Sequence, residues 1–108
     1  MAHQVDFLLF EYWLTDHAGH RQDFQMASEV LTRFDRFLSG LLKHISLDSF
    51  TVACISDHGN IEDLSVKTHT RNAVPGIFLG RHRTQLAEQV TSLTQLTPNL
   101  VRVLTEDV

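Results

Sequence analysis

Apolar positions recur every three or four residues along one long stretch of the chain: Phe24, Ala27, Val30 and Leu31, Phe34, Phe37 and Leu38, Leu41 and Leu42, and Ile45. This period lays one apolar stripe along a helix of roughly six turns, with Gln22, Glu29, Arg33, Arg36 and Lys43 as its wet face. Gly40 falls inside it at a cost of about 1 kcal/mol relative to Ala, which predicts close packing at that point. Upstream, residues 6–13 are largely apolar and aromatic and predict a buried strand that delivers Thr15 and Asp16 at its end. Downstream, Leu47-Asp48-Ser49 predicts a turn, and residues 50–55, β-branched and aromatic, predict a central strand. Residues 60–72 are polar and unperiodic, a loop of the length usually kept for function. Residues 74–79 predict a short strand that Pro75 places at an edge or a strand start. Residues 85–96 are compatible with helix or loop, and Thr97-Pro98 predicts an N-cap and first position for a last helix through Leu104.

The order β-α-β-loop-β-α predicts an α/β fold: part of a doubly wound, mostly parallel sheet flanked by helices, with ligands gathering at the carboxyl ends of the strands. At 108 residues the chain is expected to be a single domain over residues 1–108, small for a complete metallohydrolase. A hydrophobic fraction of 43%, a charged fraction of 20% and only two prolines describe a folding chain rather than a disordered one. The net charge of −4 argues against nucleic acid as a partner, because polyanion binding relies on clustered Lys and Arg. Neither a membrane span nor a signal peptide is visible. The lone Cys54 sits in an apolar run, reads as a buried small hydrophobe, and suits a reducing cytoplasm.

The chemistry gathers at the predicted strand ends. Asp16-His17-Ala18-Gly19-His20 and Ser56-Asp57-His58-Gly59-Asn60, with His69-Thr70 eleven residues after His58, supply carboxylates and imidazoles of the kind that hold Zn²⁺ or Mn²⁺. Asp16 and His20 are four apart and face one way if the chain turns helically there, with Gly19 allowing a tight backbone. Asp57 and His58 are adjacent and share an ion only where the strand breaks into a turn, a freedom expected from Gly59. Each fragment alone has an ordinary explanation: a chance spacing, a turn cap at Asp57, a solvated loop histidine at His69.

In their order, however, these segments, together with Ile61-Glu62 and Arg71-Asn72-Ala73-Val74-Pro75, resemble the alkaline phosphatase superfamily over residues 7–104. They are most similar to its cofactor-independent phosphoglycerate mutase and phosphopentomutase branch. The resemblance implies a site for two divalent metal ions, with Asp16, His20 and His69 on one and Asp57 and His58 on the other, and one ion is expected to be held by this chain. It also implies that an N-terminal aspartate and a phosphoryl-accepting Ser or Thr complete the second site, and the chain is expected to begin after both. No catalytic residue is therefore assigned. Ser28, Ser39 and Ser56 offer hydroxyls outside the family position, and Ser56 reads as a turn residue. His17, Lys67 and Arg71 read as exposed loop residues, His3, His44 and His82 as surface ones, and Glu62 as an acceptor of backbone hydrogen bonds that steadies the loop.

Two functions follow as expectations. The first is the C-terminal metal-binding portion of a metal-dependent phosphatase or phosphomutase, acting on a phosphorylated small molecule when complete and inactive alone. The second is a non-catalytic metal-binding or interaction module whose exposed sheet edge pairs with itself, as a homo-oligomer, or with a complementary N-terminal chain.

Overall fold

The computed structural model describes residues 2–106. The expected unit over residues 1–108 thus includes Met1, Asp107 and Val108, which lie outside the described residues. A 3-10 turn, Ala2–Gln4, is followed by a stretch without regular structure, then α1 (Leu14–Arg21), α2 (Phe24–His44), β1 (Thr51–Ile55), β2 (Gly76–Gly80), α3 (Arg83–Gln89), a second 3-10 turn, Leu93–Gln95, and α4 (Leu96–Glu106).

The predicted long helix is α2. Asp23 caps it by accepting the Met26 N–H at 3.0 Å, and Lys43 and His44 stand in its last turn, where the helix dipole favours cations. Its apolar stripe is only partly used. Ala27 and Val30 are buried, whereas Phe24, Leu31 and Phe37 are exposed. Gly40 has open space where a side chain would stand, so the close packing expected there is absent.

The expected buried strand at residues 6–13 is not formed. It belongs to no ladder, Asp6 is a bend, Trp13 is already in the helical region at φ −95° and ψ −2°, and Phe7, Leu8, Leu9, Phe10 and Trp13 are each more than half exposed. One side does rest on α2, through a Phe10–Phe37 ring stack with centroids 4.6 Å apart, a Tyr12–Phe34 contact, and a 2.7 Å hydrogen bond from the Tyr12 hydroxyl to the Val30 carbonyl. Hydrophobicity alone cannot make a strand, because its amide groups need a paired neighbour.

The sheet also departs from the expected parallel one. Among the described residues it has two strands, β1 and β2, paired antiparallel from Thr51↔Gly80 to Ile55↔Gly76. The parallel reading required residues 6–13 as a neighbour of β1; without them β1 pairs with the strand that follows its own loop. β1 is therefore half of a two-stranded ribbon rather than a central strand. Cys54 is only partly buried there, which nonetheless pushes its thiol pKa up. The last helix begins at Leu96, one residue before the expected Thr97 cap, and continues directly from the 3-10 turn. Pro98 lies in the first turn of α4, where the missing N–H has no helical partner to lose.

Among the described residues two hydrophobic clusters result. Phe78, Leu86, Leu96 and Val103 join β2, α3 and α4, with Val90 and Leu100 packed against them. Ala18, Ala27 and Val30 join α1 to α2, and Leu14, Met26, Ile61 and Leu64 close over that pair. The radius of gyration is 15.3 Å, against about 13 Å for a compact domain of this length, so the chain is extended for its size.

Candidate metal centre

The ligand-type residues stand where α1, the end of β1 and the 56–75 connection meet. Helical spacing brings Asp16 and His20 together on α1, with Asp16 Oδ1 3.1 Å from His20 Nε2. The loop returns His69 to the same point, with its Nε2 3.2 Å from Asp16 Oδ1 and 3.2 Å from His20 Nε2. Asp16, His20 and His69 thus form a near-equilateral triangle of donor atoms, and they are a group able to hold a metal ion. His58 borders it. Its Nε2 is 3.4 Å from Asp16 Oδ1 and 3.5 Å from Asp57 Oδ1, and its ring stacks on His69 with centroids 3.5 Å apart. Asp57 is the outermost of the five, with a side chain 77% exposed.

The donor set and its spacing fit a divalent ion. Tetrahedral zinc bonded to nitrogen and oxygen at about 2.0–2.1 Å keeps its donors about 3.3 Å apart. The triangle edges of 3.1, 3.2 and 3.2 Å match that spacing. The tautomer fits as well. His20 Nδ1 lies 2.7 Å from the Lys67 carbonyl, which can only accept, so in the neutral ring Nδ1 carries the proton and Nε2 presents its lone pair to the triangle. Lone pairs converging on one point repel unless a proton or a cation lies among them.

Packing around α1 explains Gly19. A Cβ there would stand 2.5 Å from Asn60 Oδ1 and 2.7 Å from Asn60 Cγ. Asn60 is 3% exposed, donates from Nδ2 to the Val66 carbonyl at 3.1 Å, and leaves Oδ1 buried without a partner. Gly19 therefore serves close approach of helix to loop rather than a tight backbone turn. Gln22, in a left-handed conformation at φ 54°, ends α1 and donates to the Leu64 carbonyl at 3.1 Å, a second tie to the same loop.

Gly59 likewise differs from expectation. Its φ is not positive; what it provides is room, since a Cβ there would collide with Thr70 Oγ1 and stand 2.8 Å from Glu62 Oε1. The Thr70 N–H donates to the Gly59 carbonyl at 2.8 Å, closing an isolated antiparallel bridge beside His58 and His69. Glu62 Oε2 accepts from Thr70 Oγ1 at 2.9 Å and from Asn72 Nδ2 at 3.1 Å. Desolvation pulls the Glu62 carboxyl upward, but the hydrogen bonds from Asn72, Thr70 and nearby backbone outweigh it and hold the group below the ordinary glutamate range. Asp63 is held low by the Ser65 side chain and backbone N–H.

The remaining predicted residues fall as follows. Ser56 donates to the His58 carbonyl at 2.8 Å, as a turn residue does. His17 is exposed on α1 rather than in a loop, with its ring against Trp13. Lys67 contributes its carbonyl rather than its ammonium, and Arg71 is exposed. Sequence reasoning missed the roles of Asn60, Thr70 and Asn72. Two shallow surface depressions, one at Ser28, Glu29, Thr32, Arg33 and Arg36 and one over residues 80–85, contain none of the five predicted ligands.

A triangle of one carboxylate and two imidazoles, bordered by a third imidazole, is the equipment of a metal protein, and the chain as a whole agrees: over residues 1–106 it matches, and belongs to, the Metalloenzyme superfamily. Within that class it is similar to 2,3-bisphosphoglycerate-independent phosphoglycerate mutases. It is 31% identical over 108 aligned residues to that of Thiobacillus denitrificans, covering 94% of this chain and 21% of the mutase. To that of Clostridium kluyveri it is 26% identical over 108 residues, with the same coverage. To that of Thermococcus gammatolerans it is 27% identical over 77 residues, covering 71% of this chain and 18% of the mutase. The chain therefore spans about a fifth of the length of the curated relatives it matches. No solved structure matches it. Among the described residues no helix is long and apolar enough to cross a membrane.

Proposed function

We propose that residues 1–108 form a single metal-binding unit of a phosphoryl-transfer enzyme, with one divalent ion held by Asp16, His20 and His69 and a second position bordered by Asp57 and His58. The observation that carries this is the equilateral donor triangle at the spacing of tetrahedral ligands. Zinc and manganese both suit the donors. Such ions, when bound, neutralise charge on a phosphoryl group and activate the oxygen that attacks it. The chain's own part is to orient Asp16 through α1, to fix the His20 tautomer through the Lys67 carbonyl, and to return His69 on the loop.

The substrate class that fits the family is a phosphorylated small molecule, handled by hydrolysis or by transfer. The nucleophilic hydroxyl and a further carboxylate would come from outside the described residues, where added strands beside residues 6–13 would also build the parallel, doubly wound sheet. Support for this comes from the exposed apolar face of residues 6–13 and from coverage of only about a fifth of the relatives. The free thiol of Cys54 is compatible with a cytoplasmic setting.

Calorimetric titration of the chain with Zn²⁺ and Mn²⁺, with metal analysis, tests the site; tight binding lost in Asp16→Ala is the expected result. The chain alone should not turn over p-nitrophenyl phosphate, and turnover abolished by Asp57→Ala would overturn the proposed incompetence. The exposed segment favours a second reading, a non-catalytic module that pairs with a copy of itself or with a complementary chain. A monomer by light scattering at high concentration would count against self-pairing.

A further inference from the structure

His69 lies in an exposed, mainly polar stretch of the loop, yet its ring stacks on that of His58 with centroids 3.5 Å apart and 13° between planes. Two imidazoles turned towards the same carboxylate oxygen do not choose that arrangement unaided. Holding it requires the backbone after His58 and the backbone after His69 to be fixed relative to each other, against the entropy of the residues between them.

Both neighbours are fixed by one group. Thr70, directly after His69, donates its hydroxyl to Glu62 Oε2 at 2.9 Å and its N–H to the Gly59 carbonyl at 2.8 Å. Gly59, directly after His58, lacks the Cβ that would collide with Thr70 Oγ1 and crowd Glu62 Oε1. Asn72 closes the group, donating Nδ2 to Glu62 Oε2 at 3.1 Å and its N–H to Thr70 Oγ1 at 3.3 Å. An ionised carboxylate accepting from two side chains is among the stronger hydrogen-bond arrangements available to an exposed loop.

From this geometry we infer that Glu62 is a positioning residue for the histidine pair: by gathering Thr70 and Asn72 into the space left open by Gly59, its carboxylate sets His69 against His58 and so completes the triangle with Asp16 and His20. Glu62 acts through the loop and does not touch the triangle. The inference rests on the metal-binding reading for its purpose, but the positioning itself exists without an ion.

The test compares Glu62→Ala, Glu62→Gln and Thr70→Val in the full chain, with Zn²⁺ alone as the probe and with histidine ring proton shifts recorded by NMR in metal-free protein. Stacked rings shift each other's protons upfield, so the metal-free spectrum reads the His58–His69 contact directly. Glu62→Ala should weaken Zn²⁺ binding by about tenfold or more, the usual scale for an outer partner of a ligand, and should abolish the mutual ring shift. Glu62→Gln keeps an oxygen acceptor for the Thr70 hydroxyl and should restore both readouts to within about twofold of the parent. Thr70→Val breaks the same bond from the other side and should reproduce the alanine result. Unchanged ring shifts in both Glu62→Ala and Thr70→Val would overturn the inference, as would a glutamine variant no better than alanine, which would mean that charge or direct ligation is what matters. If the parent fails to bind Zn²⁺ while the ring shift still depends on Glu62, the positioning stands and the metal-binding reading falls. If Zn²⁺ binds while the ring shift is independent of Glu62, the metal-binding reading stands and the positioning falls.

Discussion

The loop over residues 56–72 is mainly polar, and much of its internal hydrogen bonding joins partners within ten residues: Ser56 to His58, Asn60 to Val66, Ser65 to Asp63, and Thr70 and Asn72 to Glu62, while Gln22 and His20 tie its Leu64 and Lys67 carbonyls to α1. The segment over residues 5–13 is rich in apolar side chains, yet Phe7, Leu8, Leu9, Phe10 and Trp13 stay 51–68% exposed. The contrast separates two sources of order. Side chains such as Ser, Asn, Asp and Thr find backbone and side-chain partners close by in sequence, so a loop can organise itself. Apolar burial has no direction and needs an opposing surface, and here α2 covers one side of the segment through Phe37, Phe34 and Val30.

The polar loop is most sensitive where it meets Asp16. Asp16 Oδ1 faces three imidazoles, so Asp16→Ala should reduce Zn²⁺ affinity in calorimetry by more than the roughly 10–100-fold that loss of an outer partner costs. Next in size is Gly19→Ala. Its new methyl would need to displace Asn60, and such overpacking should cost about 1–3 kcal/mol in urea unfolding. No loss of stability there would mean that contact between α1 and the loop does not set the site.

Smaller still is the effect of charging the apolar segment. Leu8→Lys with Leu9→Lys should alter unfolding stability by no more than about 0.5 kcal/mol while reducing binding of a hydrophobic dye, since both side chains are already exposed. A loss of several kcal/mol would instead make residues 5–13 part of a core. The mildest perturbation is acid. Because hydrogen bonds lower the Glu62 pKa in the folded chain, its contribution is fully present above the unfolded value of about 4.3 and is lost as pH falls through the lowered one. Protonated Glu62, like Glu62→Gln, keeps an oxygen that accepts from Thr70, so amide signals of residues 59–72 should weaken only slightly and only below that point; weakening between pH 5 and 6 would assign the loop's order to another group.

That Asp16, His20 and His69 come together, with His58 beside them, was legible because these residues come in ordered motifs. Asp16 and His20 needed only helical spacing, and His69 needed only a loop that returns to β1's end. Asp57 was legible as a residue but not as the outermost member, since exposure depends on what lies beside it. The supporting residues were hidden: Asn60 and Thr70 stand inside the motifs, but which backbone groups they meet depends on how the loop closes. α2 followed directly from its period, and the Asp23 cap just before it is a further signal readable in the sequence. The parallel sheet is absent among the described residues for a physical reason: residues 6–13 carry strand composition, and composition says nothing about whether a pairing backbone lies alongside.

The two hydrophobic clusters share no residue, one uniting α1 and α2 and the other uniting β2, α3 and α4. Cooperativity in folding comes from shared burial, so the two clusters are expected to open separately, which hydrogen exchange would show as two sets of protection. The triangle of Asp16, His20 and His69 stands over the α1–α2 unit, to which Ile61 and Leu64 anchor the loop. On that expectation, fraying at the carboxyl-terminal end would leave Asp16, His20 and His69 in place, and an ion added among them should raise exchange protection around α1 and α2 more than around α3 and α4.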